Sequence, residues 1–151
     1  VYVYFKYHGQ AKVKDKKFTI RHRYNNSVIW RGVFETMADC ISKAVDNNVD
    51  LSFADLRGAY LYGANLKFAR LEGALLEGAY FYKADLSYSN LKQADMSDCY
   101  LAGANLTGAY LDGCNVNNAD LRNAILEDTY FLNSNLKNGN FYNHQLKNAY
   151  L

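Results

Sequence analysis

Residues 54–66 read ADLRGAYLYGANL. Cut into fives they become Ala54-Asp55-Leu56-Arg57-Gly58, Ala59-Tyr60-Leu61-Tyr62-Gly63 and Ala64-Asn65-Leu66, so a small residue and a Leu each recur every fifth position. Tyr60 occupies the slot where its neighbours carry Asp or Asn. The frame runs from Val49 to Leu151 without an insertion. Of its 21 first positions thirteen are Ala and six are Ser, Cys, Thr or Gly; of its 21 third positions sixteen are Leu, with Phe81, Phe131, Phe141, Met96 and Val116 filling the rest. Such regularity marks a repeat. A period of five matches neither a helix nor a plain strand. It calls for a coil in which the small and the large apolar residue point inward and the other three point outward. One coil buries little alone, and stacking supplies the core.

The second positions set the size of the coil. Tyr recurs at 60, 80 and 100 and again at 110, 130 and 150, each series stepping by twenty residues. Four units therefore complete one turn, and the coil has four faces. Tandem units such as Ala54-Asp55-Leu56-Arg57-Gly58 and Ala104-Asn105-Leu106-Thr107-Gly108 closely resemble the pentapeptide-repeat family. That resemblance implies an all-β solenoid, a right-handed quadrilateral β-helix over residues 49–151, of about five coils and roughly 25 Å tall at strand-like spacing.

Residues 1–48 differ. VYVYFKYH alternates and reads as a strand, while FTIRHR and SVIWRGVF flank Tyr24-Asn25-Asn26, a hairpin turn whose Asn residues tolerate positive φ. In ETMADCISKAVDNN, Thr36 is the expected N-cap, with Asp39 three residues on as a capping-box partner. Met37, Ile41, Ala44 and Val45 then share one helical face. This helix is expected to lie as a lid on the first coil, because an uncovered solenoid end exposes both core and unpaired backbone. The hairpin and helix also resemble the leader that precedes the repeats in some bacterial and phage members.

No apolar run is long enough to cross a bilayer, and no secretory signal is read at the start. Cys40, Cys99 and Cys114 are an odd set without CxxC or Cys/His spacing, which argues against a disulfide framework and a zinc site. A reducing compartment follows: cytoplasmic, or virion-associated if the chain is phage-encoded. The formal charge of +2 is unevenly divided: residues 1–48 carry nine Lys/Arg against four Asp/Glu, and the remainder eight against eleven. A basic head precedes a mildly acidic body.

Nothing in the sequence points to catalysis, a cofactor or a metal. His8, His22 and His144 lack ligand or triad spacing, and His144 sits at a first position where a frayed end admits a polar ring. Cys99 and Cys114 occupy first positions and read as small buried hydrophobes. The second-position Asp50, Asp55, Asp85, Asp95 and Asp120 alternate with Asn, which points to hydrogen bonding with turn backbone. There is no phosphate loop and no GxSxG elbow. The chain is read as non-enzymatic.

Two surfaces are candidates for binding. Lys12, Lys14, Lys16 and Lys17, with Arg21 and Arg23 on the next strand, form either a solvated turn and Lys-protected sheet edge or a contact for a phosphate backbone. Among outward residues, one face collects Tyr60, Tyr80 and Tyr100 at second positions and Tyr62, Tyr82 and Tyr142 at fourth positions. The opposite face collects Tyr110, Tyr130 and Tyr150, lower on the stack. Such columns either brace the ladder or dock a protein or a sugar chain. The expected role is a scaffold presenting rigid faces to a protein partner, with a homodimer expected through the C-terminal coil. The alternatives are the gyrase-binding DNA mimic known in the resistance branch of the family, nucleic-acid binding by the basic head, and a structural part of a phage or bacterial assembly. The DNA mimic needs a long, strongly acidic rod, which this sequence does not supply.

Overall fold

A computed structural model describes residues 15–142 and 146–151. The strand read over residues 1–8, together with His8, Lys12, Lys14 and His144, lies outside the described residues. The described residues open with β1 (Lys16–His22) and β2 (Val28–Phe34), continue through α1 (Met37–Asp46) and pass by β3 (Ala54–Asp55) into the repeats.

The hairpin turns as its Asn residues require. Asn26 takes φ 58°, and Asn25 Oδ1 accepts from the Ser27 amide at 3.0 Å. Pairing between β1 and β2 is antiparallel, with a register shift after Ile20. At α1 the capping box is complete: the Thr36 hydroxyl accepts from the Asp39 amide at 3.0 Å, and the Asp39 carboxylate accepts from the Thr36 amide at 3.1 Å. Cys40, Ile41 and Ala44 are fully buried, and Met37 and Val45 are packed beside them. They join Ile20 and the coil residues Leu51, Ala54 and Leu56 in one hydrophobic cluster.

The helix is half of the lid. β1 also pairs antiparallel with β3, matching Arg21 with Asp55 and His22 with Ala54, and the Arg23 amide donates to the Phe53 carbonyl at 2.8 Å. The helix thus covers the apolar interior while β1 occupies backbone groups at the edge of the first coil, which would otherwise be left unpaired. On another side of the coil the Asn65 amide donates to the Ser42 hydroxyl at 3.0 Å, which ties the helix down.

Below the lid every parallel bridge joins residues twenty apart, from Asp55–Leu75 down to Tyr130–Tyr150. Four pentapeptides therefore make one turn. Each unit contributes a single bridging residue and then turns, which is why so few continuous strands occur. The corner is a β-turn closed by the next first-position amide on the third-position carbonyl, as in Ala59 to Leu56 at 3.1 Å. The fifth residue takes φ near +60° and the fourth does not, the type II signature. Third-position amides bond to the coil below, as in Leu56 to the Leu75 carbonyl at 2.8 Å, so the ladder satisfies its own backbone.

First and third positions face inward as expected, and the third-position side chains are buried from Leu51 to Phe131. Leu136, Phe141 and Leu146 below them are only partly buried. Four polar first-position residues share one bond to a carbonyl 23 residues back, Cys99 Sγ to Leu76, Cys114 Sγ to Leu91, Thr129 Oγ1 to Leu106 and Ser134 Oγ to Leu111, while Ser89 Oγ donates to the Leu86 carbonyl of its own turn. Ser, Cys and Thr therefore replace Ala without orphaning a buried group.

The corner glycines are not equivalent. A Cβ on Gly78 would meet nothing within 4 Å, whereas one on Gly73 would lie 2.4 Å from the Phe53 ring. Both residues take the left-handed conformation, at φ +65° and +63°. Gly78→Ala is expected to cost about 1 kcal/mol through backbone strain alone. Gly73→Ala should cost about 2–3 kcal/mol, because the ring must also move. Thermal or urea unfolding of the two variants checks the order.

Candidate functional site

The second-position carboxylates and amides perform the local task read from the sequence. Asp55 Oδ1 accepts from the Arg57 amide at 3.4 Å, Asp85 Oδ1 from Ser87 at 2.9 Å, Asn105 Oδ1 from Thr107 at 3.1 Å and Asp120 Oδ1 from Arg122 at 3.2 Å. Asp55 and Asp120 are also gripped by the guanidinium two residues on, at 2.7 and 2.8 Å. Those side-chain hydrogen bonds hold both carboxyls below the ordinary carboxylate range. These are solvated pairs that add little to stability. Among the described residues no cluster of three His, Cys, Asp or Glu is placed to hold a metal ion, and no helix is long and apolar enough to cross a membrane.

Cys99 and Cys114 are buried, and desolvation pushes each thiol up to about 12. A thiol held that high carries almost no thiolate near neutrality. Both are expected to resist iodoacetamide in the folded protein, even at pH 9, and to react once the chain is unfolded. Mass spectrometry with and without denaturant reads the difference.

Among the described basic residues of the head, the two arginines are engaged in holding the hairpin. Lys16 and Lys17 alternate across β1. Arg21 Nη1 donates to the Asn26 carbonyl, and Arg23 Nη1 donates to the Gly73 carbonyl at 2.7 Å with its guanidinium over the Tyr24 ring. Arg23 thus clamps the hairpin to the second coil.

The tyrosines converge. Tyr60 and Tyr80 stack with ring centroids 4.5 Å apart at 13°, and Tyr80 and Tyr100 at 4.5 Å and 4°. On the opposite face Tyr110–Tyr130 stack at 5.0 Å and Tyr130–Tyr150 at 4.6 Å. The parallel ladder dictates this, since bridged residues twenty apart place identical side chains one rung apart. Tyr62 and Tyr82 form a looser pair beside the first column, at 5.7 Å and 26°. Tyr142 lies on the same face but two rungs separate it from that pair, and it is half exposed. Because stacked rings turn their faces to one another, each column presents ring edges and hydroxyls outward. Tyr60, Tyr82 and Tyr100 keep nearly half of their surface exposed and Tyr62 61%. Burial and the neighbouring phenols push the Tyr130 hydroxyl above its ordinary range.

The tyrosine face that begins at Tyr60 is also sterically open. Glycines at its corners, Gly58, Gly63 and Gly78, have empty space where a Cβ would stand. At its head, against the hairpin and helix, lies a cleft of about 390 Å³ lined by Lys16, Phe18, Glu35, Met37, Ala59 and Tyr60. Ala59 is the one upper-coil first-position Ala that the lid leaves only partly buried.

Three features escaped the sequence reading. Phe68 stacks on Tyr88 at 5.5 Å with the Lys67 ammonium over both rings. Phe53 gathers His22 and Tyr24 into an aromatic cluster. Two amide ladders, Asn135–Asn115–Asp95 and Asn138–Asn118–Asp98, run down another face. The aromatic features left a signal, because Phe53, Phe68 and Tyr88 occupy fifth positions where Gly and Asn prevail. The twenty-residue step gives the ladders.

With this geometry in hand the chain can be placed beside known proteins. The family model for pentapeptide repeats matches residues 47–78, 79–118 and 117–151. A pentapeptide repeat protein from the Arabidopsis thaliana thylakoid lumen superposes with a TM-score of 0.58 and 32% identity, over 60% of this chain and 63% of that one. A pentapeptide repeat protein from the cyanobacterium Cyanothece 51142 is 31% identical over 58% of this chain and 63% of its own, with a TM-score of 0.23. QnrB1, a plasmid-mediated fluoroquinolone resistance protein, is 23% identical over 64% of this chain and 61% of its own, with a TM-score of 0.31. The last two superpose too loosely to bear on function. The chain spans less than two thirds of the length of each of these structures. Among curated proteins no significant match is found.

Proposed function

The chain belongs to the pentapeptide-repeat family, and on that premise we propose that it is a non-catalytic scaffold whose Tyr60/Tyr62/Tyr80/Tyr82/Tyr100 face docks a protein partner. One observation carries this reading: five tyrosines are gathered on one open face and pre-ordered by stacking. Tyr offers a large contact area and a polar tip with few rotatable bonds. Rings already fixed on a rigid ladder lose little further freedom on binding. The bare glycine corners let a partner approach closely, and the cleft above Tyr60 suits an apolar side chain flanked by Lys16 and Glu35.

A sugar chain is a poorer fit, because aromatic rings hold sugars by their faces and this surface offers edges. The gyrase-binding DNA mimic is also less well supported. Asp55, Asp120, Asp50 and Asp112 are each neighboured by Arg57, Arg122, Arg70 and Lys92, which breaks up any continuous acidic track. Nucleic-acid binding by the basic head loses support from the internal duties of Arg21 and Arg23.

The test compares two faces. Partners captured from the source cell on the wild-type chain should be lost with Tyr62/Tyr82→Ser and with Tyr60/Tyr80/Tyr100→Ala, and kept with Tyr110/Tyr130/Tyr150→Ala. Unfolding curves on all variants separate docking from bracing, since each lost stack costs about 0.5–1.5 kcal/mol. Equal capture by every variant that remains folded would remove the proposal.

A further inference from the structure

We propose that the two tyrosine columns are sites of oxidative cross-linking, in which Tyr80 couples to Tyr60 or Tyr100, and Tyr130 to Tyr110 or Tyr150, as dityrosine staples between successive coils. The inference is independent of the docking role. It rests on four ring pairs, all nearly parallel, with centroids 4.5–5.0 Å apart and partly open to solvent.

The chemistry balances with a peroxidase and hydrogen peroxide as oxidant. Each of two phenols gives up one electron and one proton, and the peroxide is reduced to two waters. The two phenoxyl radicals join by a new carbon–carbon bond between ring carbons ortho to the hydroxyls. The hydrogens on those carbons then move to the oxygens and restore both aromatic rings. The net change is the loss of two hydrogens.

Geometry selects the sites. Radical coupling of free phenols is bimolecular, whereas here the parallel ladder holds the partners one rung apart, which converts the encounter into an intramolecular step. The rings must swing from stacked to edge-joined, and exposure near half at Tyr60, Tyr100, Tyr110 and Tyr150 leaves them room. Tyr62–Tyr82, more distant and more tilted, is placed less well. Each staple would close a twenty-residue loop and restrict the unfolded chain, as a disulfide does.

The experiment treats the dilute 151-residue chain with peroxidase and hydrogen peroxide, follows dityrosine fluorescence, and maps the products by mass spectrometry after proteolysis. The expected product is a monomer lacking two hydrogens, linked within 60/80, 80/100, 110/130 or 130/150, formed at a rate independent of protein concentration, and melting higher than the untreated chain. Tyr80→Phe combined with Tyr130→Phe keeps the stacked rings but removes the shared phenol of every pair. Its yield should fall to that of the urea-unfolded chain, with circular dichroism confirming an unchanged fold. Cross-links chiefly between molecules, links at Tyr24, Tyr62 or Tyr142 instead, or undiminished yield in the double variant would overturn the proposal.

Discussion

Phe81→Ala is expected to destabilise the protein by about 3–5 kcal/mol, the range for truncating a fully buried aromatic. Phe81 has no exposed surface and lies at a third position one rung below Leu61 and one above Leu101, both equally buried. The wall around the gap is held by the ladder: the Phe81 amide donates to the Tyr100 carbonyl below at 2.8 Å, and the adjoining Tyr80 amide donates to the Ala59 carbonyl above at 2.9 Å. Phe81 also stands between Tyr80 and Tyr82 in sequence, so the cavity would open directly behind the tyrosine face. Urea unfolding should show the lower midpoint. Near-ultraviolet circular dichroism should show weaker tyrosine signals below the transition. Tyr100→Ala, at the end of a column, loses one stack and should cost about 0.5–1.5 kcal/mol. Equal losses from the two changes would mean that the core is less tightly packed than its burial implies.

The second large effect comes from deleting whole units. Removing residues 84–93 takes out two pentapeptides, keeps the inward and outward alternation, and rotates everything below by half a turn. Tyr110 then falls one rung beneath Tyr80, so the two columns become one continuous run of Tyr60, Tyr80, Tyr110, Tyr130 and Tyr150, while Tyr100 moves to the opposite face beneath Arg70. Removing residues 84–88 instead rotates the lower part by a quarter turn and places Asn105 beneath Tyr80. Both shortened chains should fold, since stability in a stacked repeat is close to a sum of units and neighbour interfaces. Along the columns the ten-residue deletion should hold four tyrosine stacks and the five-residue deletion three, with the Tyr62–Tyr82 pair unchanged in both. Oxidative cross-linking reads the register directly: a link between Tyr80 and Tyr110 is expected only in the ten-residue deletion. Its absence, in a chain that remains folded, would show that the ladder had slipped.

Much of this architecture is legible in the sequence because a strict period leaves few geometric choices. Ala at first positions and Leu at third positions announce the inward side chains, and the twenty-residue recurrence of Tyr announces four units per turn. The capping box at Thr36 and the turn at Asn25-Asn26 are local signals, readable from neighbouring residues. The candidate surface is legible in part. Tyr60, Tyr80 and Tyr100 align from counting alone, but counting does not tell whether their rings lie flat or edge-on.

What the sequence by itself determined is therefore everything that follows from repetition: the coil, its register, which side chains face inward, and which outward residues share a column. The reason is that residues twenty apart are neighbours by construction, so the pattern along the chain is the pattern in space. The tertiary structure alone decided how the non-repeating leader meets the repeats. β1 takes the edge at Ala54–Asp55, and Arg23 reaches across fifty positions to the Gly73 carbonyl. No period links those residues. Their contact is fixed by which backbone groups the first coil leaves unpaired, and that is settled only when the chain has folded around them.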